Sequence, residues 1–440
     1  HYVVLSKDYV DITTGSGLVH CAPGCGPEDY EVGARYKLPI FNTLDEYGIF
    51  PHDMGPFKDL KAKTDDGQII EILKEKGALV KEENVSHEYA HCQRCHSPII
   101  YKTTRQWFLK VEDLKDRILK DNTKIHWVPD AAFNAFQSWL SNLRDNSITK
   151  QRYWGTPLPI WRCTDCASTE IFGSVKELEQ RAKCRMGNLH KPWIDEVTFS
   201  CKECKYPMKR LPDVIDVWVD AGCAAWNALD YPQREDLMKR FYPADAIIEG
   251  IDQIRGWFNL LMVTSEVLFG SPSFKAVYMH GFINDALGRK MSKSLGNFIL
   301  PEALIEKYGA DTLRYYVLGA ANPGVDLNYN FEDMKLKYRN LGIVWNISRL
   351  LLLYAPYVKQ RTALDAEEEY MFSYAHARLK KATECMDDLR LNEVPVLLEE
   401  IFLELSRSYI QYTREKINQE PEKVATTIFK VFFETLKAFS

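Results

Sequence analysis

The apolar and polar positions divide the chain into a mixed α/β part and a helical part. Between residues 213 and 285, strand-like apolar runs ("DVIDVWV", "AIIEG", "KAVYMHGFI") alternate with a helical stretch, "QIRGWFNLLMVTSEVLF". Such alternation is typical of a parallel α/β sheet. From residue 331 onward, apolar residues recur at helical spacing with few turn signals, as in "VPVLLEEIFLELSRSYIQYTREKI". The pattern therefore predicts an α/β fold with an all-α domain over 331–440.

In the N-terminal part of the chain the apolar pattern is interrupted more often. Residues 1–95 contain short apolar runs interrupted by Gly, Pro and Asp, which predict strands and turns with one helix at "DGQIIEILKEKGALV" (66–80). Residues 96–150 hold an amphipathic helix around "FNAFQSWLSNLRD", and "QRYWGTPLPIW" opens a new region at 151. The first residues lack an initiator Met and the last carry no helix stop, so we expect an internal piece of a longer protein.

Composition narrows the class of protein. The net charge of −5 over 440 residues excludes a globally basic nucleic-acid binder, although a local basic face remains open. No apolar run approaches the ~18 residues that a membrane span needs. The eleven cysteines are odd in number, and six of them form three Cys-x-x-Cys pairs. This usage indicates metal binding in a reducing compartment, which favours a cytoplasmic protein over a disulfide-bonded secreted one.

Two of the cysteine pairs have the spacing of a structural zinc site. Cys163 and Cys166 form the first pair, and Cys201 and Cys204 form the second. Each pair can occupy two corners of a tetrahedron, so the segment 163–204 is predicted to be a zinc ribbon. The insert is polar, and we expect the metal rather than a core to hold it together.

The third pair, Cys92 and Cys95, supplies only half of such a site. Nearby His91 and His96 are too close in sequence to complete it easily. Two interpretations stay open. The pair is either a degenerate half-knuckle, or its partners lie upstream of residue 1.

Two further stretches carry candidate chemistry. The loop "GRKMSKSLGN" (288–297) has neither the alternation of a strand nor the stripe of a helix, and by itself it would be a solvated turn. The stretch "EGIDQIRGWF" (249–258) follows a strand-like run and precedes a helix. Ligands bind at the carboxyl ends of strands in open sheets, although the same residues also suit a helix N-cap.

Taken with "GSGLVHCAPGCGPEDY", "KQRYWGTPLPIW" and "DVIDVWVDAG", these motifs make the chain resemble the class I aminoacyl-tRNA synthetases, and among them the isoleucyl branch. The resemblance implies part of a β-rich editing domain at 1–95 and a helical connective segment at 96–150. It also implies the second half of a Rossmann-like catalytic domain at 151–300, a connector at 301–330 and a truncated anticodon-binding-type domain at 331–440. The His-x-Gly-His signature of these enzymes is absent, so we expect the chain alone to be catalytically incomplete.

The resemblance also implies roles for individual residues. The loop would contact the phosphates of ATP, bound with Mg²⁺, through Lys290, Ser292, Lys293 and Ser294, with Lys293 as the main contact. The aminoacyl-adenylate would lie against Glu249, Gly250, Asp252 and Gln253, with Trp218 and Trp257 as walls of an aliphatic pocket. Val219 and Ala221 stand where the family usually has Phe and Ser. Without the motifs, both tryptophans would be read as core residues.

A second, hydrolytic site is implied as well. One methylene contributes only ~0.8 kcal/mol of apolar burial, too little to keep valine out of an isoleucine pocket. His20 and Asp29 match the editing positions of the family. Asp29 would hold the ammonium group of the misattached amino acid, and His20 would orient the substrate or a water. Cys25 stands where the family often has His.

The implied substrates and partners are isoleucine, ATP and the isoleucine tRNA, for a monomeric protein without membrane contact. Two alternatives remain. One is a valyl-tRNA synthetase. The other is a non-catalytic RNA-binding module that uses the zinc ribbon and a basic helix carrying Lys335, Lys337, Arg339 and Arg349. For that helix, a solvated basic face is the structural alternative.

Overall fold

The computed structural model describes residues 3–5, 9–13, 16–92, 95–292 and 295–440. The chain forms two compact units, His1–Gln106 and Trp107–Ser440. The first unit contains two helices, α1 (Pro27–Tyr36) and α2 (Asp66–Glu75), with a 3-10 turn at Gly55–Phe57. Helix α2 lies within the predicted stretch 66–80, whereas α1 replaces a segment for which strands and turns were predicted. Pro27 at its first position and Lys37 in a left-handed conformation after its end define α1.

The strands that the apolar runs predict in residues 1–95 are not formed in the part of this segment that the structure describes. In this unit the described extended segments meet only at two single bridges, Ile49 with Lys61 and His91 with Pro98. An apolar run becomes a strand only where a neighbouring segment supplies its ladder of hydrogen bonds. Here the runs are too short and too often interrupted to form such a ladder with one another.

The second unit contains all the strands of the described residues. They are β1 (Phe108–Leu109), β2 (His126–Val128), β3 (Asn146–Ser147), β4 (Thr149–Lys150), β5 (Ile160–Cys163), β6 (Thr169–Ile171), β7 (Phe199–Ser200), β8 (Pro207–Arg210), β9 (Val214–Ile215), β10 (Ile247–Gly250), β11 (Ala276–His280), β12 (Ile283–Asn284) and β13 (Leu327–Asn328). Strands β10, β11 and β2 form a parallel sheet in that order. Strands β6, β5, β8 and β7 form an antiparallel sheet. Short pairs join β1 to β3, β4 to β9 and β12 to β13.

The second unit contains fifteen α-helices among the described residues. They are α3 (Lys115–Asn122), α4 (Asp130–Ser141), α5 (Val175–Ala182), α6 (Val217–Gly222), α7 (Ala224–Asn227), α8 (Glu235–Phe241), α9 (Trp257–Phe269), α10 (Pro301–Tyr308), α11 (Ala310–Gly319), α12 (Phe331–Tyr354), α13 (Ala366–Asp387), α14 (Val394–Glu404), α15 (Ile410–Tyr412), α16 (Lys416–Gln419) and α17 (Pro421–Phe439). From Phe331 onward the described elements are all helical, including a π-helical turn at Leu405–Tyr409. No helix among the described residues has both the length and the apolar content needed to cross a membrane.

The core of the parallel sheet explains why the segment 96–150 is more than a helical connection. Trp127 on β2 is 3% exposed and packs against Phe136 of α4 and Phe258 of α9. Its register partner on β11 is Val277, which is fully buried. Residues 126–128 therefore supply a strand of the same sheet as residues 247–280, so the structure places no domain boundary at residue 150.

The far end of α9 carries a buried acid. Glu266 is 1% exposed, and its carboxylate accepts a hydrogen bond from Nε of Arg117 on α3 at 2.8 Å. Burial, with the nearby Asp121 carboxyl as a second cause, raises the pKa of Glu266 to about 7. This contact ties α3 to α9, the helix whose other end reaches the site described below.

One predicted strand is partly a helix. Of "DVIDVWV", only Val214–Ile215 pairs as a strand, and α6 begins at Val217. The Asp216 carboxylate accepts a hydrogen bond from the backbone N–H of Trp218 at 3.0 Å and caps the helix. An N-cap aspartate thus overrides the β preference of the Val and Ile around it.

Candidate active site

The predicted adenylate residues lie at the carboxyl end of β10, beside the end of β11. Gly250 is the register partner of His280, and Ile251–Ile254 form a 3-10 turn that leads into α9. A Cβ at Gly250 would stand 2.6 Å from Oδ1 of Asp252, so the carboxylate lies directly over the glycine backbone. The structure therefore brings these residues to the edge of the parallel sheet where ligands bind in such folds.

Two side chains of this turn are linked to each other and to α9. Nε2 of Gln253 donates to Oδ2 of Asp252 at 2.8 Å. Oε1 of Gln253 accepts from the backbone N–H of Trp257 at 3.1 Å, which satisfies a free donor in the first turn of the helix. Glu249 and Asp252 remain exposed. Helix capping and ligand contact are thus compatible here, because the cap uses Gln253, and the hydrogen bonds to Glu249 and Asp252 engage only one oxygen of each exposed carboxylate.

The two predicted pocket tryptophans lie beside this turn. The indole of Trp257 donates to the carbonyl of Ala221 at 2.9 Å and joins α9 to α6. Trp218 is 45% exposed, and its ring packs so closely on Gly256 that a Cβ there would lie 3.1 Å from two ring atoms. Trp257 therefore has a structural role in the α6–α9 contact. Trp218, with nearly half of its surface free, offers an apolar wall next to Gln253.

The charged loop follows β11 and β12. Of its predicted residues, Lys293 and Ser294 lie outside the described residues. Gly288 and Gly296 both have positive φ, 76° and 64°, a backbone conformation that glycine adopts without strain. Lys290 is exposed, with Nζ 4.6 Å from the ring centre of Phe282. The backbone N–H of Ser292 donates to Oδ1 of Asn297 at 2.9 Å.

An acid that was not predicted from the sequence holds this loop. Asp285 is 7% exposed, and its Oδ1 accepts from the backbone N–H groups of Leu287 and Arg289, both at 2.9 Å. Its Oδ2 accepts from Nε of Arg289 at 2.9 Å and from Nδ2 of Asn297 at 3.0 Å. These donors, the Asn297 amide first, hold the pKa of Asp285 well below its usual range. The available signal was an Asx-turn, Asp three residues before Gly.

The four cysteines of the zinc prediction converge. Cys163 ends β5 and Cys201 follows β7, and the four Sγ atoms all lie within 4.8 Å of one another. Separations are 3.3 Å for Cys163–Cys204, 3.7 Å for Cys166–Cys201 and 3.5 Å for Cys166–Cys204. A tetrahedral site with Zn–S bonds of ~2.3 Å places its sulfurs about 3.8 Å apart. The sulfur geometry therefore fits a single zinc ion.

The expectation that this insert has no core of its own is wrong. Trp161, Leu178, Ile194 and Met208 are at most 5% exposed and form one apolar cluster with the buried cysteines. The charged surface hides this core because its members are spaced over almost fifty residues. A bound metal would thus stabilise an insert that already has a packed core, and would not have to substitute for that core.

Backbone hydrogen bonds flank the Cys92 and Cys95 pair. The backbone N–H of Cys92 donates to the carbonyl of Ser97, and that of His96 donates to the carbonyl of Cys92, both at 2.9 Å. Among the residues that the structure describes, no third His, Cys, Asp or Glu completes a ligand set with this pair. Both interpretations of the half-site therefore stay open.

The predicted editing residues lie in the first unit. Asp29 is in the first turn of α1, half-buried, and its carboxylate accepts a hydrogen bond from the Tyr9 hydroxyl. This bond is the main reason why the pKa of Tyr9 is raised to about 12. His20 is exposed in the preceding loop, and the described contacts of this unit do not join it to Asp29.

The basic helix is only partly as predicted. Lys335, Arg339 and Arg349 are exposed on α12, whereas the Lys337 side chain is 19% exposed and pairs with Glu399 of α14. Tyr315 and Asn340 also donate to the Glu399 carboxylate. At 100° per residue, Lys337 lies 200° from Lys335 and therefore faces the interior. Its assignment as a phosphate contact is wrong.

Comparison with solved structures shows the fold. A leucyl-tRNA synthetase of Agrobacterium radiobacter, solved with tRNA and a ligand abbreviated LeuAMS, gives a TM-score of 0.55 at 23% identity over 68% of this chain and 40% of that chain. Mycobacterium tuberculosis methionyl-tRNA synthetase with methionyl-adenylate gives 0.58 at 19% identity, over 80% and 62%.

Relatives in sequence are closer. The isoleucine–tRNA ligase of Methanopyrus kandleri is 40% identical over 96% of this chain and 42% of its own length. The ligase of the same name from Archaeoglobus fulgidus is 40% identical over 98% of this chain and 43% of its own length. The chain thus spans less than half the length of these relatives.

The family model described as "tRNA synthetases class I (I, L, M and V)" matches residues 9–330, well over half of the chain. The match contains the sheet edge with Asp252 and Gln253, the Asp285 loop and the four-cysteine insert. The chain therefore belongs to the class I tRNA synthetases.

Proposed function

We propose that the chain is the part of an isoleucine–tRNA ligase that binds the amino acid and closes on the phosphates of ATP. The observation that carries the proposal is the group formed by Asp252, Gln253 and the exposed face of Trp218 at the carboxyl end of β10. Carboxylates beside an apolar wall suit a ligand with an ammonium group and an aliphatic side chain. The isoleucine–tRNA ligases among the relatives support this choice of amino acid.

In the proposed reaction the isoleucine carboxylate attacks the α-phosphate of ATP and pyrophosphate leaves. A hydroxyl of the tRNA, losing its proton, then attacks the acyl carbon of the resulting adenylate, the acyl–phosphate bond breaks, and AMP leaves. Glu249 and Asp252 would hold the ammonium group and ribose hydroxyls, and Trp218 would exclude water from the side chain. Lys290, with Lys293, would stabilise charge that grows on the phosphate oxygens. Bound Mg²⁺ would neutralise the same phosphates. Strands β2, β10 and β11 would form the second half of the nucleotide-binding domain.

Two further roles belong to this proposal. Cys163, Cys166, Cys201 and Cys204 would hold a structural Zn²⁺ that fixes the insert. Asp29 would bind the ammonium group of a misattached valine in the editing site. The Tyr9 hydroxyl bond to its carboxylate supports this role, because it orients one oxygen and leaves the other available. His20, being exposed, would reach the ester or a water.

The test is calorimetric titration of the chain with non-hydrolysable adenylate analogues of isoleucine, valine and leucine. We expect the isoleucyl analogue to bind about fourfold or more tightly than the valyl one, since one buried methylene contributes ~0.8 kcal/mol. Asp252→Asn should weaken all three analogues. The matched control is Asp311→Asn, an exposed acid on α11, which should change none of them. Preference for the valyl analogue would move the assignment to a valyl-tRNA synthetase. Absence of binding, with RNA binding intact, would favour the non-catalytic module.

Activity is tested on a longer protein, with this chain preceded by the N-terminal region of an isoleucine–tRNA ligase relative. Isoleucine-dependent ATP–pyrophosphate exchange by that protein, and little by the chain alone, is the expected result. Asp29→Ala in the same protein should let valyl-tRNA persist. Unchanged hydrolysis of valyl-tRNA would remove the editing role of Asp29.

A further inference from the structure

An exposed group of rings and cations lies where the chain enters the four-cysteine insert. Trp154 stacks on His190 with ring centres 4.5 Å apart and planes 17° from parallel. Nζ of Lys191 donates to the carbonyl of Arg152 at 3.3 Å and lies 5.9 Å from the ring centre of Tyr153. These five residues, Arg152–Trp154 with His190 and Lys191, are called the aromatic–basic patch.

The aromatic surface of the patch is open although its backbone is held in place. Tyr153 is 65% exposed and Trp154 is 67% exposed. Directly after them, a Cβ at Gly155 would lie 3.0 Å from the Val214 side chain, and the Thr156 hydroxyl donates to Asp220 at 2.8 Å. The rings therefore project from an anchored segment. One face of the Trp154 ring is already covered by His190, which leaves the other face for a planar partner.

The charge of the patch favours a polyanion. None of the ion pairs formed among the described residues uses Arg152, His190 or Lys191. Asp195, four residues after Lys191, pairs instead with Arg210, and Asp213 and Asp216 are engaged by Gln151 and Lys150. Unneutralised cations beside an open aromatic face are the combination that binds unpaired nucleotides, with the ring stacking on a base and the cations near phosphates.

We propose that the aromatic–basic patch is a stacking site for an unpaired nucleotide of the RNA that this synthetase charges. One base lies on the open face of Trp154, and Arg152 and Lys191 contact the adjacent phosphates. The inference rests on the proposed function for the identity of the RNA. The patch shares no residue with the adenylate group or with the basic face of α12.

The probe is a fluorescein-labelled single-stranded RNA of about eight nucleotides, within the range that such sites cover, followed by anisotropy at low and at physiological salt. Trp154→Ala should weaken binding about 5- to 150-fold, the range of one lost base stack. Trp154→Phe keeps a ring and should retain most of the affinity. Arg152→Gln should weaken binding and reduce its salt dependence. The same RNA as a duplex should bind without dependence on Trp154.

The matched control is Trp345→Ala. Trp345 is 68% exposed on α12, next to the basic face of the alternative RNA surface. Equal binding by the parent and Trp154→Ala would overturn the proposal, and loss of binding in Trp345→Ala alone would place the RNA on α12. A poly-glutamate peptide that binds through Trp154 while RNA does not would assign the patch to an acidic protein partner and also overturn it.

The adenylate-analogue titration contains no RNA, so the two proposals can fail separately. Trp154→Ala should bind the isoleucyl analogue like the parent. If the chain binds no analogue but its RNA binding still depends on Trp154, the proposed ligase function is refuted and the stacking site stands. If the chain binds the analogue but its RNA binding does not depend on Trp154, the stacking site is refuted and the ligase function stands.

Discussion

Asp285 should control how often the charged loop opens. Four donors converge on its carboxylate, two of them backbone N–H groups within the loop and one the amide of Asn297, which itself accepts from the backbone of Ser292. Replacing the acid by its isostere, Asp285→Asn, keeps the shape of the side chain. It removes the charge and turns one acceptor oxygen into a donor.

The size of the effect follows from these contacts. The one oxygen that the substituted amide keeps can still accept from two donors, but its NH₂ group then faces the donors that Oδ2 of Asp285 satisfies in the parent. A hydrogen bond to a charged group contributes ~1.5–3 kcal/mol, and a buried donor left without a partner costs ~1–3 kcal/mol more. The two lower limits add to about 2.5 kcal/mol, so loop opening should become about 70-fold more frequent.

The frequency of loop opening can be measured by hydrogen–deuterium exchange and mass spectrometry on peptides spanning 283–299. We expect faster exchange in these peptides and unchanged exchange in β10 and β11. Asp311→Asn, which alters an 81% exposed acid paired loosely with Arg314, is the control. In the parent, exchange corrected for its intrinsic pH dependence should stay constant from pH 5 to 8, because the lowered pKa of Asp285 keeps the carboxylate charged throughout. Equal exchange in the parent and Asp285→Asn would refute the reasoning.

Three further outcomes follow from the second unit. The parent should hold about one equivalent of zinc by metal analysis, and Cys163→Ser should lose it; a zinc-free parent would contradict the site. Because the folded-state pKa of Glu266 is raised to about 7, the folded chain keeps a proton that the unfolded chain loses above ~4.5, so stability from this group falls as pH rises from 5 to 7.5. Urea unfolding should show that fall, on the order of 2 kcal/mol, in the parent but not in Glu266→Gln. Lys337→Met should lower the free energy of unfolding by about 3 kcal/mol because it removes the counter-ion of the largely buried Glu399 carboxylate, whereas Lys335→Met should change it by less than ~1 kcal/mol. Equal losses would contradict the inward placement of Lys337.

The sequence predicted best those elements whose pattern is local and long. The helix at 257–269 and the strands at 247–250 and 276–280 lie where apolar spacing indicated them. The first unit shows the limit of the same reasoning. Among the described residues, the short apolar runs there have no adjacent strand with which to form a hydrogen-bonded ladder. The pattern of a single sequence does not show whether such a partner strand exists.

One strand of the parallel sheet, β2, was missed for a related reason. His126–Val128 is only three residues long and precedes a strongly amphipathic helix, so the helical signal dominated. What makes these residues a strand is pairing with residues 276–278, about 150 positions away. A contact at that separation leaves no local trace in the sequence.

The candidate site shows the same division between type and placement. The residue types at Asp252, Gln253 and Trp218 predicted a ligand site, and the structure brings them to one sheet edge. Asp285 escaped notice because it reads as one more polar residue of a charged loop. Its function depends on burial and on four donors, two of them backbone N–H groups and two of them side-chain groups, and the sequence displays neither the burial nor this convergence. A loop of this kind needs exposed cations that can contact a ligand and a buried anion that holds its backbone. Lys290 meets the first requirement and Asp285 meets the second. Exchanging their charges would therefore remove both the ligand contact and the contacts that fix the loop.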